Sequence, residues 1–201
     1  MRAATLAAAA AAVAVGYLLG SVPVAVLVGH RHRLDPRAVG DRNPGWWNVR
    51  DQLGSRRAVP VLVGDTAKGV LAAGVAVLVA PEGAWGVGYV GVAAAMVGHA
   101  WPVFAGFRGG RSILAFAGGM CVLAPVPALL AVGAFAVLAL LGRTAVGARV
   151  GVFGFPLLQL LFETPNRVAA TGGLLCIIGL RFAQAAVASR RTGRTDAGGQ
   201  A

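Results

Sequence analysis

The chain has 201 residues and a formal net charge of +11, yet only 12% of its residues are charged and 57% are hydrophobic. Mean hydropathy is +0.74; soluble domains carry about 25% charged residues, so this composition argues against a soluble domain and for a membrane protein. The pI near 11.6 would suit a nucleic-acid binder. The arginines, however, sit in short turns between apolar runs, so the expected partners are anionic head groups or phosphorylated substrates, and no nucleic acid.

Residues 3–28 form an apolar run after a single charge, Arg2. The run is longer than the about 7–15 residues of a signal-peptide core and ends in HRHR, a stop-transfer pattern. It reads as a first transmembrane helix with its N-terminus outside. GSVP at 20–23 should loosen that helix near the cytoplasmic face. Residues 30–57 are polar, with seven arginines, three aspartates including Asp41, Asn43 and Asn48, adjacent tryptophans at 46–47, and breakers at Gly40, Pro44, Gly45 and Gly54. Such a segment can order around an anion, because arginine offers bidentate donors and glycine admits close backbone approach. It can equally be a solvated basic loop that only obeys topology.

Residues 58–80 are the second span and carry Asp65 and Lys68, three apart on one helical face and able to pair. An intramembrane ion pair marks a functional site by default; the alternative is an interfacial pair with a snorkelling lysine. After an external turn at 81–84, residues 85–105 form the third span, which ends in GHAWPVF and contains His99. FRGGRS at 107–112 is a second cytoplasmic turn. Its two glycines between arginines resemble a small phosphate-cradling loop, although any tight interhelical turn favours Gly-Gly.

Residues 113–141 are apolar but interrupted by PVP at 125–127. Counted as one span they make five crossings in all; counted as two short helices they make seven and put Arg143 and Arg149 inside. The positive-inside rule selects seven, since only Arg2 and Arg167 of 18 cationic residues are then external. The sixth segment falls at 150–162, the external turn at 163–167 and the seventh segment at 168–188. A single membrane domain thus covers 1–188, followed by a disordered cytoplasmic tail at 189–201. Cys121 and Cys176 lie inside apolar runs and read as small core hydrophobes. Abundant alanine and glycine imply a compact all-α bundle.

Taken in order, GSVP, DPRAVG..NPG..NVR..LG, GDTAKG, VGHAWPVF and F.GGR resemble the acyl-phosphate-dependent glycerol-3-phosphate acyltransferases of bacteria. The resemblance is close over residues 16–120 and rests on topology beyond them. It implies a monomeric seven-helix bundle in the inner membrane that moves a fatty acyl group from acyl phosphate to the 1-hydroxyl of glycerol 3-phosphate. The product would be lysophosphatidic acid for phospholipid synthesis, with no metal and no cofactor. By the same resemblance Asn43, Asn48 and Arg50 match the first motif, Lys68 the lysine of the second span and His99 the GH.FP motif. Gly109, Gly110, Arg111 and Ser112 match the glycine-rich loop that takes the glycerol phosphate.

The chain departs from that pattern in places. GSGN.GATN is here GDRNPGWWN, which puts Asp41 at a serine position, and GGKG is GGRS. A family serine aligns with Gly147, and the family's C-terminal His and Asn followed by Glu find no match around 182–186. Two functional readings follow: an acyltransferase of this family, or a non-catalytic descendant that binds anionic lipid or a phosphorylated ligand. A small transporter is a third, disfavoured because no paired inverted repeat is visible.

Overall fold

The computed structural model describes residues 1–198, and the side chains of residues 1–190. Among the described residues every regular element is helical. Four helical stretches are long and apolar enough to cross a membrane, at Arg2–Arg31, Ser55–Val79, Gly86–Ala105 and Pro165–Arg190, and three shorter apolar helices lie among them.

The first stretch is two helices, α1 (Arg2–Ser21) and α2 (Val24–Arg31). They part at Val22–Pro23, where proline lacks an amide hydrogen and cannot continue the ladder. This is the loosening expected from GSVP. Next come α3 (Trp46–Leu53) inside the polar stretch, α4 (Ser55–Val79) and α5 (Gly86–Ala100). The long apolar run breaks at Ala124 into α6 (Ile113–Leu123) and α7 (Pro125–Leu140), with prolines in the first turn of α7, where a missing amide costs nothing.

The sixth segment starts earlier than the sequence suggested. Gly142, at φ +73, turns the chain after α7. The segment then runs as α8 (Thr144–Phe153) and a short α9 (Phe155–Gln159). Arg149 therefore lies within a helix and not in a turn, a placement its long side chain permits near a membrane surface. The last helix, α10, spans Pro165–Gly198. Helix thus continues through the first ten positions of the expected tail, and 199–201 lie outside the described residues.

Small residues set how close the helices come. A β-carbon on Gly20 would collide with the Ala95 carbonyl, and one on Gly98 with the Tyr17 carbonyl, so α1 and α5 meet backbone to backbone. Gly69 and Gly118 play the same part between α4 and α6, against the carbonyls of Ala115 and Thr66. The main apolar core joins Tyr89, Val92 and Met96 to Phe116, Met120, Phe155, Leu174 and Ile178, with the Phe116 and Phe155 rings edge to face at 5.7 Å. Cys121 and Cys176 are free and exposed, not core residues; Cys121 opens onto the space between α6, α7 and α8.

The polar stretch is folded, not a loose solvated loop. Asn48 is 3% exposed and donates from Nδ2 to the carbonyls of Pro36 at 2.8 Å, Val39 at 3.0 Å and Asn43 at 3.2 Å. Val49 packs beneath it on Ala25, Ala58 and Val61. Arg37 clasps Asp35 at 2.9 Å, and this hydrogen-bonded guanidinium holds the Asp35 carboxyl down at about 2.

One cavity decides the sidedness of the centre. Ala145, Ala148 and Arg149 of α8 line it together with Asn43 and Trp46 of the polar stretch and Arg111 of the 107–112 turn. The start of α8 therefore sits at the same end of the bundle as both turns, and the chain between Ser112 and Arg143 leads away from that end and back to it. In a chain lacking Cys121 and Cys176, a cysteine at Thr144 should be labelled from the same side as one at Arg42, and from the opposite side to one at Glu82. Labelling of the Thr144 and Glu82 positions from one common side would restore the five-span arrangement.

Candidate active site

Three polar side chains meet inside the bundle. Lys68 and Asp65 project from one face of α4, and His99 comes from the last turn of α5. Lys68 Nζ lies 2.7 Å from Asp65 Oδ1 and 3.3 Å from His99 Nδ1, and that nitrogen is 3.6 Å from Asp65 Oδ1. All three are buried. An ammonium has only donors, so His99 Nδ1 accepts from it, and the neutral imidazole carries its proton on Nε2. Asp65 and His99 line the main cavity, of about 300 Å³. Lys68 instead faces a small cleft behind it, beside Pro23, Pro44 and Gly110. Lys68 therefore supports Asp65 and His99 from the rear and does not face that cavity.

The 107–112 turn packs directly on this group. The amides of Gly109 and Gly110 donate to the carbonyls of Ala100 and His99 at 3.2 and 3.1 Å. A β-carbon on Gly109 would strike the His99 carbonyl, and one on Gly110 would strike the imidazole at Nε2. Both residues are glycine because the turn must lie against α5. Their amides are already bonded and do not form the phosphate cradle expected from the sequence. The Ser112 hydroxyl is likewise engaged, donating to the Met96 carbonyl at 2.7 Å. The donors that remain lie one step on. Ile113 and Leu114, whose amides open α6, line the cavity, and α6 has no side-chain cap.

Arg111 is the cation at this point. Its Nη1 pairs with Asp41 Oδ2 at 3.0 Å, its guanidinium lies 4.6 Å over the Phe182 ring, and its Nε is buried with no partner. An unpartnered buried donor beside a cavity is an open position for an anionic oxygen. Trp46 Nε1 is a second such donor. Arg111, Asn43 and Phe182 also border an outer vestibule of about 840 Å³, where Arg42, Arg181 and Gln184 join them. On its other side the main cavity shares Trp46, Trp47, Ile113, Leu114, Ala148 and Val152 with an almost wholly apolar cavity of about 310 Å³ between α6, α7 and α8.

Of the residues the sequence singled out, the structure brings together Asn43, Asp65, His99, Arg111 and Ser112 around the main cavity, with Asp41 at its rim. Arg50 stands apart. It pairs with Asp51 at 2.9 Å and stacks 4.4 Å over Trp47 and 5.2 Å over Trp46, bordering none of these cavities. Asn48 is the clip that shapes the polar stretch. Sequence reasoning passed over Arg149, Arg181 and Gln184. A charge inside the apolar last segment was the available signal for Arg181, by the rule that flagged Asp65 and Lys68.

The family model for glycerol-3-phosphate acyltransferase matches residues 10–190. The chain is 40% identical over 158 residues to glycerol-3-phosphate acyltransferase 3 of Dehalococcoides mccartyi, covering 71% of each protein. It is 39% identical over 155 residues to a glycerol-3-phosphate acyltransferase of Neisseria gonorrhoeae, covering 75% of this chain and 78% of that one. The fold superposes on the crystal structure of PlsY (YgiH), an integral membrane glycerol 3-phosphate acyltransferase, in its glycerol 3-phosphate form, with a TM-score of 0.79, 26% identity and coverage of 92% of this chain and 93% of that one. The lysophosphatidic acid form of that enzyme gives a TM-score of 0.75 at 25% identity. With its sequence matched over nine-tenths of its length and its helices superposed over 92% of it, this chain belongs to the glycerol-3-phosphate acyltransferase family of integral membrane proteins.

Proposed function

We propose that the chain transfers a fatty acyl group from acyl phosphate to the 1-hydroxyl of glycerol 3-phosphate, releasing inorganic phosphate and lysophosphatidic acid. We place it in a bacterial inner membrane, working as a monomer in phospholipid synthesis. The observation that carries this reading is the continuity of a cationic cavity with an apolar one across Trp46, Trp47, Ile113 and Leu114. A donor with an anionic head and a long chain fits that pair, and the outer vestibule suits a small, polar, dianionic acceptor.

The chemistry asks little covalent work of the protein. The acceptor hydroxyl oxygen attacks the acyl carbonyl, the bond from that carbon to the phosphate oxygen breaks, and phosphate departs with the electron pair. The hydroxyl proton passes to the departing phosphate, so atoms and charge balance. What remains is to hold two anions side by side and to stabilise charge on the carbonyl oxygen. Arg111 borders both chambers and offsets the repulsion between the phosphates. The first amides of α6 and the Nε2–H of His99 are donors for developing negative charge. Lys68 keeps His99 in that tautomer, which makes the imidazole a donor at Nε2 and not a base there. A second reading, a chain that binds a phosphorylated ligand without turnover, draws support from Asp41, whose carboxylate already occupies Arg111.

Purified protein in detergent, given acyl phosphate and glycerol 3-phosphate, should form lysophosphatidic acid and inorganic phosphate in equal amounts, and should form none with an acyl coenzyme A thioester as donor. Ligand binding without product would favour the second reading. Asp41→Asn should lower the KM for glycerol 3-phosphate several-fold by freeing Arg111, since a charge-assisted contact contributes about 1.5–3 kcal/mol. An unchanged KM would show that Asp41 does not compete with substrate. Removing one partner of a buried pair costs about 3–5 kcal/mol because it strands a charge. Asp65→Asn and Lys68→Met should therefore each lower the thermal midpoint more than the double variant does; singles with the wild-type midpoint would make the pair dispensable.

A further inference from the structure

Arg181 sits in α10, far along the chain from every motif in the first half, and is half-buried. Its Nη2 donates to the Gly109 carbonyl at 2.7 Å and its Nε to the Gly110 carbonyl at 3.1 Å. Its Nη1 is held by Gln184 Oε1 at 2.8 Å, and its guanidinium lies 5.2 Å over the Trp101 ring. With the two glycine amides bonded to α5, all four backbone polar groups of Gly109 and Gly110 are engaged, two toward α5 and two toward Arg181. The next residue on each side completes the contact, because Arg111 lies over Phe182. Two consecutive residues of α10 thus hold the backbone of the turn and the head of its arginine.

We propose that Arg181 is a positioning residue for acyl transfer: it clamps the Gly109–Gly110 carbonyls so that Arg111 is presented at the boundary between the main cavity and the vestibule. This rests on the substrate reading given above. Two carbonyls on adjacent residues need two donors on one rigid edge, which a planar guanidinium supplies and an ammonium does not. Phe182 is 40% exposed and could not fix Arg111 alone. Gly109 and Gly110 are buried; without the clamp their two carbonyls lose their partners, and Arg111 is free to turn fully onto Asp41. Arg181 also borders the vestibule, so a direct contact with substrate is the competing role, and the two roles differ in how they combine with loss of Arg111.

The test is a double-mutant cycle of Arg181→Met and Arg111→Met in full-length protein in detergent. It is read by turnover against glycerol 3-phosphate concentration, by calorimetric binding of glycerol 3-phosphate without acyl donor, and by thermal midpoint. Arg181→Met should weaken glycerol 3-phosphate binding roughly 10-fold, the loss expected when one charge-assisted contact goes. In the Arg111→Met background it should add little, because its effect runs through Arg111. Arg181→Lys should restore only part of the affinity. Additive losses would assign Arg181 to direct substrate contact and overturn the positioning role, as would wild-type affinity in Arg181→Met. If Arg181→Met yields no folded protein, Arg181→Lys carries the same cycle, and wild-type affinity there overturns the proposal. Failure of the wild type to turn over while the binding cycle behaves as stated would remove the acyltransferase reading and leave the clamp standing.

Discussion

A lysine ammonium buried among helices of alanine and glycine needs a carboxylate, and the pairing of Lys68 with Asp65 at 2.7 Å is the contact on which the rest of the site depends. The pair alone would leave the ammonium with unused donors. His99 Nδ1, at 3.3 Å, takes one of them, which fixes the position of the end of α5 relative to α4. The carbonyls of His99 and Ala100 then become the surface on which the glycine turn is laid. One desolvated charge pair therefore determines where the turn lies, and the turn determines where Arg111 points.

The turn shows how one sequence feature can serve a different physical end from the one it suggests. Gly-Gly between arginines invites the reading of free amides around a phosphate. Here the glycines serve close approach: there is no room for a β-carbon at either position against His99. The amides go to α5 and the carbonyls to Arg181, so the pair contributes rigidity, and the anion-facing groups are the Arg111 side chain and the start of α6. The closest helix crossings elsewhere in the bundle are made by small residues such as Gly20, Gly69, Gly98 and Gly118, which let carbonyls and α-carbons of neighbouring helices touch.

The cavities follow from the broken centre of the chain. Because the run from Ile113 onward divides at Ala124, α6 is only 11 residues long, about 16 Å at the helical rise per residue and too short to cross a bilayer unaided. The short helices α6, α7 and α8 leave an apolar space between them that opens upward onto the charged layer. In the proposed reaction the acyl chain and the phosphate of the donor would share this one continuous space.

Much of this was legible in the residues. Hydropathy, arginine placement and the prolines at 125–127 determine an all-α membrane bundle with a divided centre, because burial of apolar runs and the cost of moving arginine across a bilayer are local properties of the chain. The three-residue spacing of Asp65 and Lys68 determines their pairing for the same reason. Which glycines touch, which amides remain free, and why Arg181 closes on a turn 72 residues away were decided only by the tertiary structure. Each depends on which faces of distant helices meet, and alanine and glycine, present on every face, carry no mark of which contact they will make.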